Sequence, residues 1–484
     1  MRYLLAVVLL CSLYIGGCVS PAKPVGHQEL SGPLDGEYDV VIHSTWFGPL
    51  RTTMTAQALR PDSKGVISFN ANTRPDIAWN LIGGASETLG PLFVPYIFPS
   101  GMLIVWNSTM PRDGKPGEGW LGVSRVGPFG AKTIIERAGG PVSIVAKDGR
   151  VIAVMTYQRR DPLDSPRGAI ANYVSLSDSI SRTAMQQLYD PKMASSAEFA
   201  EYCANVRETA SMVQDDIEFA FAGALAWRNH RNLPLPLVYR PTSDESRRIL
   251  KQAGSTVEQL RSTFDAKTGI MTIEVVATMD AAQVDEIMID ALSKQPKAVI
   301  LDLRDCVGFD LSTLRIGCWF IHSPVDIGTF VGRDHRESST RPAPLLIGGI
   351  ADVDAAHRAL ERDGEVAVTL SPAPGAFSGP LAVLVTSRTR SSGEVLANAL
   401  RDRDGVRYFG AKTASRPRMG FEIPLEQGYL LRVPQFEWRA PGGKLGVCDV
   451  KPDVRCSMEE APVKAQAWLV PDEKIEQAAA EVAK

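Results

Sequence analysis

Two adjacent hydroxyls stand where the apolar run in "LAVLVTSRTRSSGEVLANALRD" (residues 381–402) breaks into a polar, basic turn and then into a helix. Ser391 and Ser392 sit at the handover from strand to helix, and Glu394 falls in the first helical turn. A serine so placed projects at the mouth of a sheet. The helix N-terminus beside it offers unsatisfied N–H groups and a partial positive charge to a developing oxyanion. The chemistry would be acyl transfer by a serine nucleophile, which needs a neighbour to take the hydroxyl proton. The plainer alternative is a helix cap, since serine is a favoured N-cap and "SSGE" serves as one. Glu394 suits a helix start, where a carboxylate meets the positive end of the dipole.

Other polar residues invite simpler readings. Asp302 and Arg304 in "ILDLRD" read as a structural pair at a strand end, and Asp402 as a last-turn partner of Arg401 or Arg403. His43 and Trp46 read as core or surface residues. Six histidines are scattered without ligand spacing, and no Cys-x-x-Cys or His-x-x-x-His occurs, so neither a metal nor another cofactor is expected.

The elements that must position the serines follow from periodicity. From about Thr263 strands and helices alternate: "GIMTIEVVA" is a strand and "DAAQVDEIMIDALSKQ" an amphipathic helix. "KAVILDLRD" and "GPLAVLVTS" are continuous apolar strands of the doubly buried kind. "LSTLRIGCWFIH" and "SGEVLANALRDRDG" read as helices, "VRYFGAKT" as a strand, "GYLLRVPQFEWRAPGG" as strand and turn, and "PDEKIEQAAAEVAK" as a closing helix. Such alternation predicts an α/β (α+β) core of βαβ units, with sites at the carboxyl ends of strands.

Upstream the texture differs. Short alternating segments punctuated by Gly and Pro ("YDVVIHS", "RTTMTAQAL", "GVISFNA", "MLIVWNS", "GPVSIVAKDGRVIAVMTY") predict a β-rich domain, with Asp-Gly marking a hairpin. A helical segment follows, with Ser196 as a cap before Glu198 and Phe199, and "NLPLPLVYRP" closes it. The expected division is 1–18 signal peptide, 19–35 tether, 36–165 β-rich domain, 166–262 helical segment and 263–484 catalytic-type core.

Composition limits the classes. An apolar share of 44% with 22% charged residues is ordinary for a globular protein, and 484 residues suffice for several cores. A net charge of −3 gives no electrostatic case for nucleic acid. At the N-terminus, "MRYLLAVVLLCSLYIGGC" has Arg2, an apolar run too short for a confident membrane span, and small residues before Cys18. "IGGC" resembles a bacterial lipobox, which implies lipid attachment at Cys18 and a membrane-tethered chain. An ordinary secretory signal is the alternative. Val19 is not the aspartate that marks inner-membrane retention, so an outer-membrane site facing the periplasm is expected. Beyond Cys11 and Cys18, five cysteines remain, an odd number; Cys306 with Cys318, or Cys448 with Cys456, are possible disulfides in an oxidising compartment.

The order of "KAVILDLRDCVGFDL", "GPLAVLVTSRTRSSGEVLANALRDRDGVRYFGAKT" and "GYLLRVPQFEWRAPGGKLGVCDVKPDV" resembles the S41 serine peptidases, the tail-specific or C-terminal processing proteases and their tricorn-like relatives. The resemblance implies an S41-type core over roughly 263–484 and a nucleophile at Ser391. It also implies oxyanion donors at Gly308 and at the helix start by Ser392. Cys306 stands at the family's asparagine position and Phe309 replaces its second glycine. At the lysine of the processing branch stands Arg416, which stays protonated and cannot act as a base. Lys412, slightly earlier, and His230, near the place where the tricorn-like branch has its histidine, are the candidate bases. That branch's supporting glutamate falls near Gly446.

Three readings follow. One is a serine peptidase acting on extracytoplasmic polypeptides. Another is an inactive relative that binds peptides or protein partners by strand addition, with Arg416 and Arg418 lining a pocket suited to a carboxylate. The third gives the binding role to the β-rich domain.

Overall fold

The computed structural model describes the strands between residues 36 and 160, residues 169–216, Phe219, His230, Leu233 and residues 237–470, apart from 255–259, 277–279, 309 and 339. Cys11, Cys18, the tether, Trp46, Phe309 and the expected closing helix over 471–484 lie outside the described residues.

The core is a six-stranded sheet whose strands lie side by side in chain order: β1 (Leu260–Asp265), β2 (Ile270–Val275), β3 (Ala298–Asp302), β4 (Leu381–Val385), β5 (Val406–Gly410) and β6 (Val454–Arg455). Only β1 runs antiparallel to its neighbour; β2 to β6 are parallel. Parallel strands need crossovers, and the helices that cover their faces bury both sides of the inner strands. That burial is why "AVILD" and "LAVLV" carry no polar alternation before Asp302: all five residues of each strand are buried. The two runs are direct neighbours, Val299 opposite Leu381 and Leu301 opposite Val383.

The helices are α1 (Ala281–Ser293), α2 (Ile350–Asp363), α3 (Ser392–Ala399) and α4 (Glu460–Leu469). Asp280 caps α1 by accepting the Ala282 N–H, and Gly364 ends α2 in a left-handed conformation that glycine adopts without cost. The stretch "LSTLRIGCWFIH" is shorter than the helix expected. A 3-10 turn over Leu311–Leu314 leads into one helical turn over Arg315–Cys318, and Trp319 to Ile321 then enter the core as irregular chain.

A second sheet of five strands packs on this core, in the order 344–347, 365–370, 325–332, 436–439 and 418–419. A small antiparallel sheet joins Glu422–Pro424, Leu430–Arg432 and Leu237–Tyr239, the last from the segment "NLPLPLVYRP". The helical segment contains Tyr173–Gln187 and Ala197–Ala210, and Ser196 caps the second by accepting the Phe199 N–H at 3.1 Å. Among the described residues between Gly36 and Arg159, eight short strands form one antiparallel sheet. His43 in it is a core residue, its ring nitrogens bonded to Ser246 at 2.8 Å and Thr156 at 3.0 Å. A buried junction ties the sheet to the rest: Asp216 accepts from the Tyr173 and Tyr429 hydroxyls and from the Arg51 N–H, while Thr52 donates to Asp215.

The two possible disulfides are not formed. Cys203, Cys306, Cys318, Cys448 and Cys456 are all free thiols, and Cys318 instead directs its sulfur at the Ile347 carbonyl, 3.2 Å away.

Candidate active site

The turn between β4 and α3 is stitched down before it reaches Ser391. Thr386 Oγ1 donates to the Arg304 carbonyl at 2.6 Å, and Thr389 Oγ1 donates to the Leu303 carbonyl at 2.7 Å. Both threonines thus tie the polar turn to the end of β3. Asp302 and Arg304 are the structural pair expected there, joined at 2.6 Å. Next, Arg390 and Ser391 pair in parallel with Val307 and Gly308, which sets Gly308 beside Ser391.

Ser391 is the strained residue of this turn. Its backbone lies at φ 58° and ψ −137°, a region that L-residues avoid at a cost of about 1–3 kcal/mol. It is formally the N-cap of α3 but makes no side-chain cap bond, so the cap alternative does not account for it. Its hydroxyl instead donates to the Arg418 carbonyl, while its N–H donates to the Arg416 carbonyl at 3.2 Å. The residue is 7% exposed. The hydroxyl, expected to project at the mouth of the sheet, is instead covered by the main chain of 416–418.

Glu394 does more than meet a helix dipole. It is fully buried, and its two carboxylate oxygens accept the N–H groups of Ser415 and Arg416, each at 2.7 Å. Burial raises its pKa against the pull of those donors. Ser391 and Glu394, both from the start of α3, therefore clamp the same segment from its carbonyl and its N–H sides.

Gly308 is required where it stands. A Cβ there would lie 2.2 Å from Ser392 Oγ and 2.5 Å from Thr313 Oγ1. The Ser392 hydroxyl is buried and has no hydrogen-bond partner among the described residues. Cys306 is fully buried against α3, its sulfur 2.7 Å from where a Cβ on Gly393 would be. The apolar thiol thus fills the space beside the helix start, and burial pushes its pKa up to about 12. Asp310 follows on the Gly308 loop and caps the 3-10 turn by accepting the Ser312 N–H at 2.9 Å; burial pushes its pKa up to about 6.

The remaining expected residues are less closely gathered. Lys412 pairs with Asp449 at 3.0 Å and is half exposed. His230 is buried in the helical segment, with Nδ1 3.8 Å from Glu198 and its ring edge-on to Tyr202. Among the described residues no lysine or histidine side chain hydrogen-bonds Ser391. Arg418 is committed to Glu437 at 3.2 Å and lies over the Tyr189 ring; Arg336 reaches the same carboxylate at 2.7 Å. Arg416 is exposed and has no ion pair within 4 Å among the described residues. Gly446 packs directly on Glu437: a Cβ at 446 would lie 2.5 Å from its Oε1, so a carboxylate from another strand occupies that space. Arg401 pairs with Asp453 at 2.6 Å rather than with Asp402, and Arg403 bonds the carbonyls of Phe320, Phe377 and Gly379.

Two residues here escaped sequence reasoning. His357 on α2 accepts the Leu311 N–H of the Gly308 loop at 3.1 Å, and Glu437 stands between Arg418 and Gly446. His357 lies in none of the quoted motifs, and Glu437 lies in "PQFEWRAPGG", where nothing in the residue types marks it as the partner of Arg418.

A parallel sheet thus delivers a strained serine beside the Gly308 loop. Residues 267–456 match the model of peptidase family S41. Those residues thus form an S41 peptidase domain, of an S41 protease-like function class whose substrate class is polypeptide. No curated protein matches the chain. Solved structures similar to it include a lipoprotein from Streptococcus agalactiae (13% identity, 63% of this chain and 99% of that one, TM-score 0.40). The photosystem II D1 C-terminal processing protease is similar at 12% identity, over 63% and 98% of the two chains, with a TM-score of 0.34. The tricorn protease is similar at 10% identity, over 86% and 45%, with a TM-score of 0.34. Among the described residues no helix is long and apolar enough to cross a membrane.

Proposed function

We propose that this protein is an envelope serine peptidase in which Ser391 is the nucleophile and the N–H groups of Gly308 and Ser392 receive the oxyanion. The observation that carries this reading is the backbone of Ser391 at φ 58° and ψ −137° with no capping bond. A residue that merely started a helix would relax into ordinary extended backbone and bond the first turn. Strain kept at a hydroxyl beside a glycine loop is what presentation of a nucleophile requires.

As it stands, the Ser391 hydroxyl donates its hydrogen bond to a carbonyl, not to a base. Attack on a peptide therefore needs the 416–418 segment to move aside, which frees the hydroxyl and opens the cleft. Lys412 is the better placed of the two candidate bases, because it belongs to the same 410–418 stretch and would move with it. His230 is held in the helical segment by Glu198 and Tyr202. Arg416, exposed and without an ion pair among the described residues, is the cation available to a substrate carboxylate; Arg418 is neutralised by Glu437. Lipid on Cys18 would tether the enzyme to the membrane, with the outer membrane facing the periplasm as its site.

The test is labelling of the full-length protein with a fluorophosphonate, followed by mapping of the adduct. Label on Ser391, lost in Ser391→Ala, supports an activated hydroxyl. Absence of label from both proteins at alkaline pH refutes it and leaves peptide binding without turnover.

A further inference from the structure

We infer that His357 is a positioning residue for the peptidase reaction: in its neutral form it holds the Gly308 loop in register with Ser391. The inference rests on the reading of Ser391 as nucleophile and Gly308 as oxyanion donor.

The geometry begins with an orphan donor. The first N–H groups of a helical turn have no partner within it. In the turn Leu311–Leu314, Asp310 satisfies Ser312, and Leu311 is left over inside the core, 0% exposed. His357 Nε2 supplies the missing acceptor at 3.1 Å, across a gap of 46 residues. A nitrogen that accepts carries no proton, so the imidazole is neutral with its hydrogen on Nδ1.

The ring itself is fixed. It meets Phe421 edge-on at 5.6 Å and 88°, and Phe421 meets Phe436 edge-on at 5.4 Å and 66°. Phe421 is tied in turn by its N–H to Gln435 Oε1 at 2.6 Å. This end of the loop is thus anchored to α2 and to the aromatic packing of the second sheet. Its other end, Gly308, pairs with Ser391. Only two residues separate Gly308 from Leu311, so displacement of the Leu311 amide is transmitted to the donor N–H.

Protonation reverses the contact. With both ring nitrogens protonated, Nε2–H would face the Leu311 N–H, donor against donor, and the buried amide would lose its partner. The charged group that bears on the ring is Asp354, one turn earlier on α2; burial acts against it and keeps the ring in the neutral form. No other charged group, from the 311–314 turn, α1 or the adjoining strands, bears on it among the described residues.

The experiment measures fluorophosphonate labelling of Ser391 in the full-length protein, separating the bond-forming rate from probe affinity, across pH 5 to 9. Three proteins are compared: wild type, His357→Leu, which has no acceptor, and His357→Gln, whose amide oxygen can accept but does not titrate. Hydrogen exchange of the 308–314 amides is followed in all three. The expected result is a bond-forming rate about tenfold or more lower in the leucine variant with affinity unchanged, and recovery in the glutamine variant. Wild type should lose more rate on the acid side than the glutamine variant, whose own acid limb belongs to the general base, and at neutral pH exchange over 308–314 should rise only in the leucine variant. A leucine variant that labels and exchanges like wild type overturns the inference, as does an acid limb in the glutamine variant as large as that of wild type. Wild type that never labels at Ser391 removes the nucleophile reading and this inference together; labelled wild type with an indifferent leucine variant removes this inference alone.

Discussion

The hydroxyl of Ser391 is joined to the carbonyl of Arg418, and this bond closes over a serine whose backbone is already strained. The two facts act in opposite directions on stability. The bond contributes about 1 kcal/mol, whereas the φ of 58° costs about 1–3 kcal/mol. Ser391→Ala removes the bond and keeps the strain. Ser391→Gly removes both, because glycine occupies positive φ freely. The glycine variant should therefore be more stable than the alanine variant by about 1–2 kcal/mol, measured by urea denaturation, while neither takes a phosphonate label. Equal midpoints would mean that the backbone at 391 is not strained in solution.

Glu394 offers a second measurement. Its carboxylate receives two main-chain N–H groups and is fully buried. Glu394→Ala would orphan both donors, at about 1–3 kcal/mol each, and unclamp the Ser415–Arg416 segment. A loss of about 3 kcal/mol or more is expected from denaturant titration. Glu394→Gln should lose less, since its amide oxygen still accepts one N–H. Proteolytic nicking near 415 should rise in the alanine variant.

Much of the core was legible in the sequence because burial on both faces leaves an unbroken apolar run. "AVILD" and "LAVLV" could only be central strands of a covered sheet, and their pairing placed Ser391 at a strand-to-helix turn. The second sheet was not legible in the same way. Its strands 325–332 and 365–370 carry glycines, threonines and a bulge near Asp326 and Gly328, which break the period. The closing of the site was hidden for another reason. The partners of Ser391 are the carbonyls of Arg416 and Arg418, and main-chain groups carry no signature in residue type. The Leu311–His357 bond is likewise a contact of backbone with a side chain from a distant helix.

Asp310 predicts a dependence on pH. Burial lifts its pKa from 3.8 to about 6, so the folded state holds the proton more tightly than the unfolded chain does. The stability it contributes is complete below about pH 4 and is lost as pH rises to about 6. Asp310→Asn keeps the oxygen that accepts from Ser312 and cannot ionise. The variant should match wild type near pH 4 and exceed it by on the order of 1–2 kcal/mol at pH 7.5. Parallel urea midpoints at both pH values would reject the raised pKa.

Gly308 gives the sharpest steric prediction. The strand pair Val307–Gly308 with Arg390–Ser391 brings the glycine so close to α3 that a methyl group has nowhere to go. A Cβ would sit 2.2 Å from Ser392 Oγ and 2.5 Å from Thr313 Oγ1, well inside van der Waals contact, and both neighbours are buried. Neither oxygen is the end of a long flexible chain, so the loop itself must retreat from Ser391. Overpacking of this kind costs about 1–3 kcal/mol. Gly308→Ala should therefore lower the unfolding free energy from urea titration by that amount and, if Gly308 donates to the oxyanion, slow phosphonate labelling of Ser391 by about 100-fold. Trimming one obstacle in Gly308→Ala/Ser392→Gly should return part of the stability. Ser392 contributes to the reaction through its main-chain N–H, which glycine retains, so labelling should recover in the same proteins. A double variant that regains stability but not labelling would show that Gly308 matters to the reaction beyond the room it leaves.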